Sequence, residues 1–242
     1  MDLSVLQDAA HRYRLAATAA GVAWPERADG QGVPLPDLDL VHRLFDVDHV
    51  PEQLTWLLSQ GWDRGMLFPG GGMLEPWPTR QTARASLDLL SASIGTPFHW
   101  RHQIPLFFFS THVYTFVLEG THEGEIWRYL GGPDAWDPVR AAPSLTALLT
   151  EWTKGIAAGV VYYSDVTRFL LVGDPTARET FDDLWRRFPD IDPFAFSDDI
   201  PAPLLRERQR ASGVDLDCVD RGFECWEELL DDIDAVQASL GL

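Results

Sequence analysis

The sequence predicts an α+β protein in which helices pack against a central, mainly antiparallel β-sheet. Residues 104–130 read IPLFFFSTHVYTFVLEGTHEGEIWRYL, which is two aromatic and β-branched runs, a glycine-containing break and a third run. Such runs are typical of paired strands, and the break indicates a hairpin with a long loop. The first two runs are apolar at nearly every position, so both faces of this sheet are expected to be covered. Elsewhere, apolar residues recur at spacings of three and four, which indicates amphipathic helices.

The composition indicates a folded and strongly acidic protein. Hydrophobic residues make up 45% of the 242 residues, and the formal net charge is −18. Such a chain can bury a sizeable core. Its charge repels nucleic acid and anionic membranes and attracts basic proteins over long range. The acidity can equally serve solubility alone.

The sequence also bears on the compartment. No run approaches the ~18 apolar residues that a membrane span needs. The alanine-rich residues 15–24 are too weakly hydrophobic for a secretory signal. Cys218 and Cys225 would lie too far apart to bridge on one helix, although a loop could bring them together. We therefore expect a cytoplasmic protein with reduced thiols.

The first predicted element is an amphipathic helix over residues 2–20. Its apolar residues recur every three or four positions: Leu3, Leu6, Ala10, Tyr13 and Ala17. Gly21 ends this helix. Residues 38–47 fit either a short strand or a turn of helix. A further helix is predicted from Pro51 to Gly61, because proline fits the first turn of a helix and glycine ends one.

A short strand at residues 66–68 and a turn at residues 69–72 are predicted next. The turn reads PGGG, and it lacks the lysine and the hydroxyl residue of a phosphate-binding loop. A helix over residues 80–94 follows. Its buried stripe is predicted to consist of Ala83, Leu87, Leu90 and Ile94.

After the central strands, a turn is predicted at residues 131–134 and a short strand at residues 136–140. Ser144 then caps a helix that ends at Gly155. The buried stripe of this helix is predicted to be Leu145, Leu148, Leu149 and Trp152. Residues 160–172 hold two apolar runs around a polar break, which predicts a second strand pair.

The C-terminal part is predicted to be helical and acidic. Asp174 with Pro175 starts one helix, residues 189–203 form a proline- and aspartate-rich loop, and residues 226–240 form the last helix. From residue 174 to the end, 18 Asp and Glu side chains stand against 7 Arg. The negative charge is therefore denser here than in the rest of the chain.

Few side chains suggest chemistry. His99, His102 and His112 could ligate a metal if a turn brought them together, but ordinary polar or packing histidines are the simpler interpretation. Glu123 and Glu125 could act as an acid–base pair, whereas a solvated loop is the simpler interpretation. Trp127, Trp136 and Trp152 could line an aromatic groove for a ligand. Tryptophan at strand and helix positions that face the core more often simply belongs to the core.

Several consecutive segments resemble the SUKH superfamily, also called the SMI1/KNR4 family. Ile104-Pro105 begins the first strand, and GEIWRY follows at residues 124–129. WDPV stands at residues 136–139, and AAPSLTALLTEW at residues 141–152. Members of the family commonly show an Ile-Pro strand, a GEIW-type strand after a turn, and a helix capped by Ala-Pro-Ser. The likeness covers residues 80–155, about a third of the chain.

The resemblance implies an α+β fold with a mainly antiparallel sheet and helices on one side of it. It also implies a binding protein that is not an enzyme. Bacterial members look like immunity proteins that neutralise toxins, often nucleases, and the fungal namesake is a signalling and cell-wall regulator. We expect one domain over residues 1–242, with N-terminal helices to residue 79, a family-like core over about 80–173 and an acidic helical extension over 174–242.

The leading hypothesis joins this resemblance to the net charge of −18. It is a cytoplasmic immunity protein that occludes a basic toxin and takes no cofactor or metal. Its contact is expected to use acidic residues beside exposed aromatic ones, and the candidates are Asp134, Trp136, Asp137, Asp198 and Asp199. Two alternatives stay open. One is a regulatory scaffold without a toxin partner, and the other is a metal-dependent hydrolase that uses His99, His102 and His112.

Overall fold

The apolar runs around residues 104–130 form the centre of a five-stranded antiparallel sheet with strand order β1-β2-β3-β4-β5. The protein is represented by a computed structural model, which describes residues 2–25, 36–109, 112–130, 138–173 and 202–242. The strands are β1 Met73–Leu74, β2 Gln103–Phe109, β3 His112–Val117, β4 Ile126–Leu130 and β5 Val139–Ala142. Each neighbouring pair is antiparallel. The predicted α+β class and antiparallel sheet are confirmed.

Helices precede and follow the sheet. Their bounds are α1 Leu3–Ala20, α2 Leu38–Phe45, α3 Glu52–Leu58, α4 Ala83–Leu89, α5 Leu145–Ala157, α6 Ala202–Ala211, α7 Leu216–Arg221 and α8 Phe223–Leu240. A separate two-stranded sheet pairs β6 Val161–Tyr163 with β7 Leu170–Val172, as predicted. No helix in the described ranges is long and apolar enough to cross a membrane.

Helices cover both faces of the five-stranded sheet. Side chains alternate along β3, so Tyr114 and Phe116 enter the core that contains α1 to α5. Val113 and Val117 point the other way, into a second cluster that includes Cys218 of α7. The prediction that both faces of the sheet are covered, made from the apolar strands, is therefore confirmed. The one-sided arrangement implied by the family resemblance is wrong, because α7 and the start of α8 pack on the second face.

An aromatic cluster joins α1 and α5 to the first face. The ring of Trp152 on α5 lies 5.9 Å from Tyr13 on α1, 5.7 Å from Phe68 and 5.3 Å from Phe107 on β2, centroid to centroid. The Tyr13 hydroxyl donates a 2.7 Å hydrogen bond to the carbonyl of Leu67. Burial raises the pKa of Tyr13 well above its ordinary value. This cluster holds the chain just before the glycine-rich turn against the sheet.

The glycine-rich turn is followed, not preceded, by a strand. Residues 66–68 make only an isolated bridge from Phe68 to Gly72, and β1 begins after the turn at Met73. A Cβ at Gly72 would lie 2.2 Å from Cε1 of Phe109, so only glycine lets the chain enter the sheet here. The predicted turn is confirmed. The predicted strand at residues 66–68 is wrong, because the residues that pair with β2 are Met73 and Leu74, which follow the turn.

Residues 38–47 adopt the helical one of the two forms that their sequence allows, and the bounds of several other elements differ from the predictions. Residues 38–45 are helical and capped by Asp37, whose carboxylate accepts from the Leu40 amide. Helix α5 continues past Gly155, which is buried inside it, because tertiary packing overrides the weak helix propensity of glycine. Helix α8 begins at Phe223, three residues before the predicted start.

The division of the single domain into three segments stays a prediction. Strand β1 belongs to the segment predicted to be N-terminal helices, residues 1–79, yet it forms the edge of the sheet. The predicted turn at residues 131–134 and the helix starting at Asp174 lie outside the described residues. Of the acidic extension, the structure describes α6 to α8. Cys225 near the start of α8 joins the second cluster, whereas Leu229 and Ile233 of the same helix belong to the first.

Candidate interaction surface

The predicted contact residues cannot be placed. They all lie outside the ranges that the structure describes: Asp134, Trp136, Asp137, Asp198 and Asp199. Their role in binding stays a prediction. The candidate contact surface in the described part of the chain is formed by other residues.

The histidines predicted as metal ligands do not converge. His99 and His102 are neighbours, with ring centroids 5.1 Å apart. The carbonyl of His102 accepts from the amide of Leu118, which follows the end of β3, whereas His112 begins that strand. Six residues of extended strand span roughly 20 Å. A centre made of these three histidines is therefore wrong, and the described residues contain no other cluster of three metal-ligating side chains.

Glu125 is the centre of a half-buried polar cluster instead of a solvated loop residue. Its side chain is 15% exposed. The indole Nε1 of Trp127 donates to Oε2 at 3.0 Å, and Nδ1 of His122 lies 3.0 Å from the same oxygen. Nε of Arg140 forms an ion pair with Oε1 at 3.2 Å. Glu123 points elsewhere, to His49 at 3.6 Å. The two carboxylates therefore do not face one substrate position, and the solvated-loop interpretation is wrong for Glu125.

The tryptophans do not form a groove in the described part of the chain. Trp127 and Trp152 are 0% and 1% exposed, and they lie on opposite faces of the sheet. The core interpretation is confirmed for these two. Trp136 lies outside the described residues.

An acidic surface is formed by the last two helices. Between residues 214 and 242 there are nine Asp and Glu residues and a single basic residue, Arg221. All nine are exposed: Asp215, Asp217, Asp220, Glu224, Glu227, Glu228, Asp231, Asp232 and Asp234. We call these nine residues, with Phe223 and Trp226, the acidic C-terminal surface.

One stripe of α8 concentrates this charge. Glu224, Glu227, Glu228 and Asp231 follow the i, i+3, i+4, i+7 spacing that places side chains on one helix face. Arg221 approaches Glu224 at 3.8 Å and Glu228 at 4.0 Å. Because these pairs are exposed, they offset little of the negative potential.

Two aromatic rings border the stripe. Phe223 is 52% exposed, and its ring centroid lies 5.7 Å from that of the half-buried Trp226. Trp226 also packs against the second core cluster. An exposed phenylalanine on a rigid helix, beside carboxylates, is the combination of groups that a contact with a basic protein uses.

Helix α8 is anchored by contacts outside the stripe. The indole Nε1 of Trp100 donates to Asp232 Oδ2 at 2.6 Å, and Nε2 of Gln237 donates to Asp88 Oδ1 at 2.6 Å. Leu229 and Ile233 are buried between these contacts. The acidic stripe is therefore presented by a helix whose position is set by the core.

Sequence reasoning had the signal for this surface but used it only for packing. The spacing of Leu229, Ile233 and their neighbours identified the last helix, and the same periodicity places the acids on the opposite face. The exposure of Phe223 had no sequence signal, because an apolar residue at a helix start is expected to be buried. A comparison of the chain with models of known protein families and with curated proteins finds no match.

Proposed function

We propose that the protein is a non-enzymatic binding protein that occludes a basic protein partner, in the manner of immunity proteins that neutralise nuclease toxins. One observation carries this proposal. It is the acidic C-terminal surface, which combines nine exposed carboxylates, one arginine and an exposed phenylalanine in the last two helices and their flanking residues.

The physical role of the charge is to speed and direct association. Nucleases are positively charged where they bind phosphate, so a dense row of carboxylates is attracted to that site and competes with nucleic acid for it. Phe223 adds an apolar anchor that loses water on contact. Charge then governs the association rate, and the anchor governs the dissociation rate.

Membership of the SUKH superfamily is part of the same proposal. The order of the matching segments supports it, because the Ile-Pro strand, the GEIW strand and the Ser-capped helix fall on β2, β4 and α5. The hydroxyl of Ser144 accepts from the Ala147 amide at 3.2 Å, which is the capping that the motif requires. The coverage of both sheet faces is a departure from the expected arrangement.

The proposal is tested with the purified proteins encoded by the adjacent genes, and the binding rates are measured with the most basic of them. The variant E224Q/E227Q/E228Q/D231N removes four charges from the stripe and keeps its shape. We expect its association rate at low salt to fall by at least about tenfold, with a smaller change in dissociation rate. Surface plasmon resonance at several ionic strengths measures both rates.

A matched control removes the same number of charges elsewhere, in exposed residues of other elements: D39N/D48N/E52Q/D165N. It should retain most of the wild-type association rate, since screening weakens distant charges. Phe223→Ala should raise the dissociation rate about tenfold. Equal rates for the two quadruple variants, or no binding of the wild type even at low salt, would contradict the proposal.

A further inference from the structure

A cavity next to helices α2 and α3 has apolar walls and a charged rim. It lies between the start of α2, the end of α3 and the segment Pro76-Trp77-Pro78, and its volume is about 260 Å³. Leu40, Leu58 and Trp77 form buried walls, each less than a tenth exposed. We call it the Pro-Trp-Pro pocket. Its size suits one long side chain.

The rim of this pocket carries exposed charges. Asp37, Asp63 and Arg80 line it, so the rim has a net charge of −1. One carboxylate oxygen of Asp37 accepts from the Leu40 amide at 3.1 Å. A carboxylate has two oxygens, so Asp37 keeps an acceptor for a ligand. The pocket therefore offers apolar surface below and carboxylate oxygens at the mouth.

We propose that the Pro-Trp-Pro pocket binds an arginine side chain of a protein partner. This inference rests on the proposed function and names a group that a basic partner would insert. The methylenes of arginine pack on Leu40, Leu58 and Trp77, while the guanidinium stays at the rim, where Asp37 and Asp63 accept its hydrogen bonds. A planar guanidinium has several donors in a fixed fork, which suits two carboxylates better than an ammonium does.

Charge complementarity selects this occupant over an uncharged one. A purely apolar side chain would fill the walls and leave both rim carboxylates without a new partner. An acidic side chain would meet the net negative rim and the −18 charge of the whole chain. Arginine satisfies walls and rim together.

Blocked single amino acids test the pocket without any protein partner. N-acetyl-L-arginine methylamide is titrated into the ¹⁵N-labelled full chain, and the indole N–H signal of Trp77 is followed after assignment with W77F. The citrulline analogue has nearly the same shape and no charge. We expect saturable shifts for arginine with a dissociation constant on the order of 1 mM, and binding at least about fivefold weaker for citrulline.

Two variants separate the rim from general charge. D63N should weaken arginine binding about two- to fivefold, as removal of one partly exposed ion pair does. D39N removes a charge from α2 outside the pocket lining, and its affinity should match the wild type. The norleucine analogue carries an apolar side chain in place of the guanidinium. Equal or tighter binding of the citrulline or norleucine analogue overturns the proposal, and so does the absence of a Trp77 signal shift with the arginine compound up to about 20 mM. Such a result leaves the acidic C-terminal surface untouched, because that surface is tested with the proteins encoded by the adjacent genes.

Discussion

At the scale of single residues, Glu125 shows how a carboxylate becomes structural. Its side chain gathers an indole N–H, a histidine and an arginine while it is only 15% exposed. If the carboxylate were removed, the indole N–H, the histidine and the arginine would each lose a partner at a half-buried position. An unpaired buried donor costs about 1–3 kcal/mol, so the carboxylate of Glu125 contributes to the stability of the fold.

Replacing Glu125 by alanine should therefore lower the free energy of unfolding by about 1–3 kcal/mol. Urea denaturation followed by tryptophan fluorescence measures the change. Glu123→Ala is the matched control, because that neighbouring carboxylate is 44% exposed, and its cost should stay within about 0.5 kcal/mol. Similar losses for the two variants would contradict the structural role of Glu125.

His99 makes stability depend on pH. Burial, and then the charge of His102, lower the pKa of His99 below its ordinary value of 6.5. The unfolded chain therefore binds this proton more readily than the folded one. Stability is complete above about pH 6.5 and falls as the pH drops from there toward the folded-state pKa.

His99→Asn should remove that part of the pH dependence and leave stability at pH 8 nearly unchanged. Denaturation midpoints measured between about pH 8 and pH 5 follow the effect, with His11→Asn on α1 as control. An NMR titration that places the pKa of His99 at or above 6.5 would contradict the prediction.

At the scale of elements, the entry of β1 into the sheet depends on a missing side chain. The position of Gly72 leaves room for the ring of Phe109, and a Cβ there would lie 2.2 Å from Cε1. The backbone of Gly72 is extended and its φ of −63° suits any residue. The requirement for glycine is therefore steric and comes from the neighbouring strand.

Gly72→Ala should cost about 1–3 kcal/mol of unfolding free energy, because the Phe109 ring must move. The cost should fall in a Phe109→Leu background, where the ring is absent, and a double-mutant cycle by urea denaturation measures this coupling. Gly124→Ala serves as a control with open space around the Cβ. Its φ of 86° makes the alanine backbone strained, and Phe109→Leu should not relieve that cost. Additive effects of the Gly72 and Phe109 substitutions would argue against the steric explanation.

At the scale of the whole molecule, the acidic end of the chain is part of the core. Helices α7 and α8 bring Cys218, Val219 and Cys225 onto the second face of the sheet. The thiol of Cys218 donates to the carbonyl of Ile94 at 3.3 Å. Burial, with a contact to Cys225, raises the pKa of the Cys218 thiol to about 12. The two thiols lie on successive helices and are free, as expected for reduced cysteines.

The native protein should therefore react slowly with an aromatic disulfide reagent, because thiolate is scarce and access is blocked. Both thiols should react at the rate of free cysteine in about 6 M guanidinium chloride, and absorbance measures the released thiolate. The variant A19C, at an exposed position of α1, supplies an accessible control thiol. Rapid labelling of Cys218 in the native state would show that α7 is not packed as described.

The candidate interaction surface shows where sequence reasoning stops. The acids of α8 could be counted, and their common face follows from helical periodicity once Leu229 and Ile233 are assigned to the core. The exposure of Phe223 could not be predicted, because it depends on where α7 ends and α8 begins. The Pro-Trp-Pro pocket could not be predicted either, since its walls come from three segments that only the fold brings together.

The sequence by itself determined the elements whose signals are local. The strands β2 to β4, the helix α1 and the helix α5 with its Ser144 cap follow from periodicity, β-branched runs and capping residues. Only the tertiary structure decided which distant groups meet. It separated His112 from His99, gathered the partners of Glu125 and packed α8 against α4, because such contacts depend on the packing of the whole chain and leave no periodic trace in the sequence.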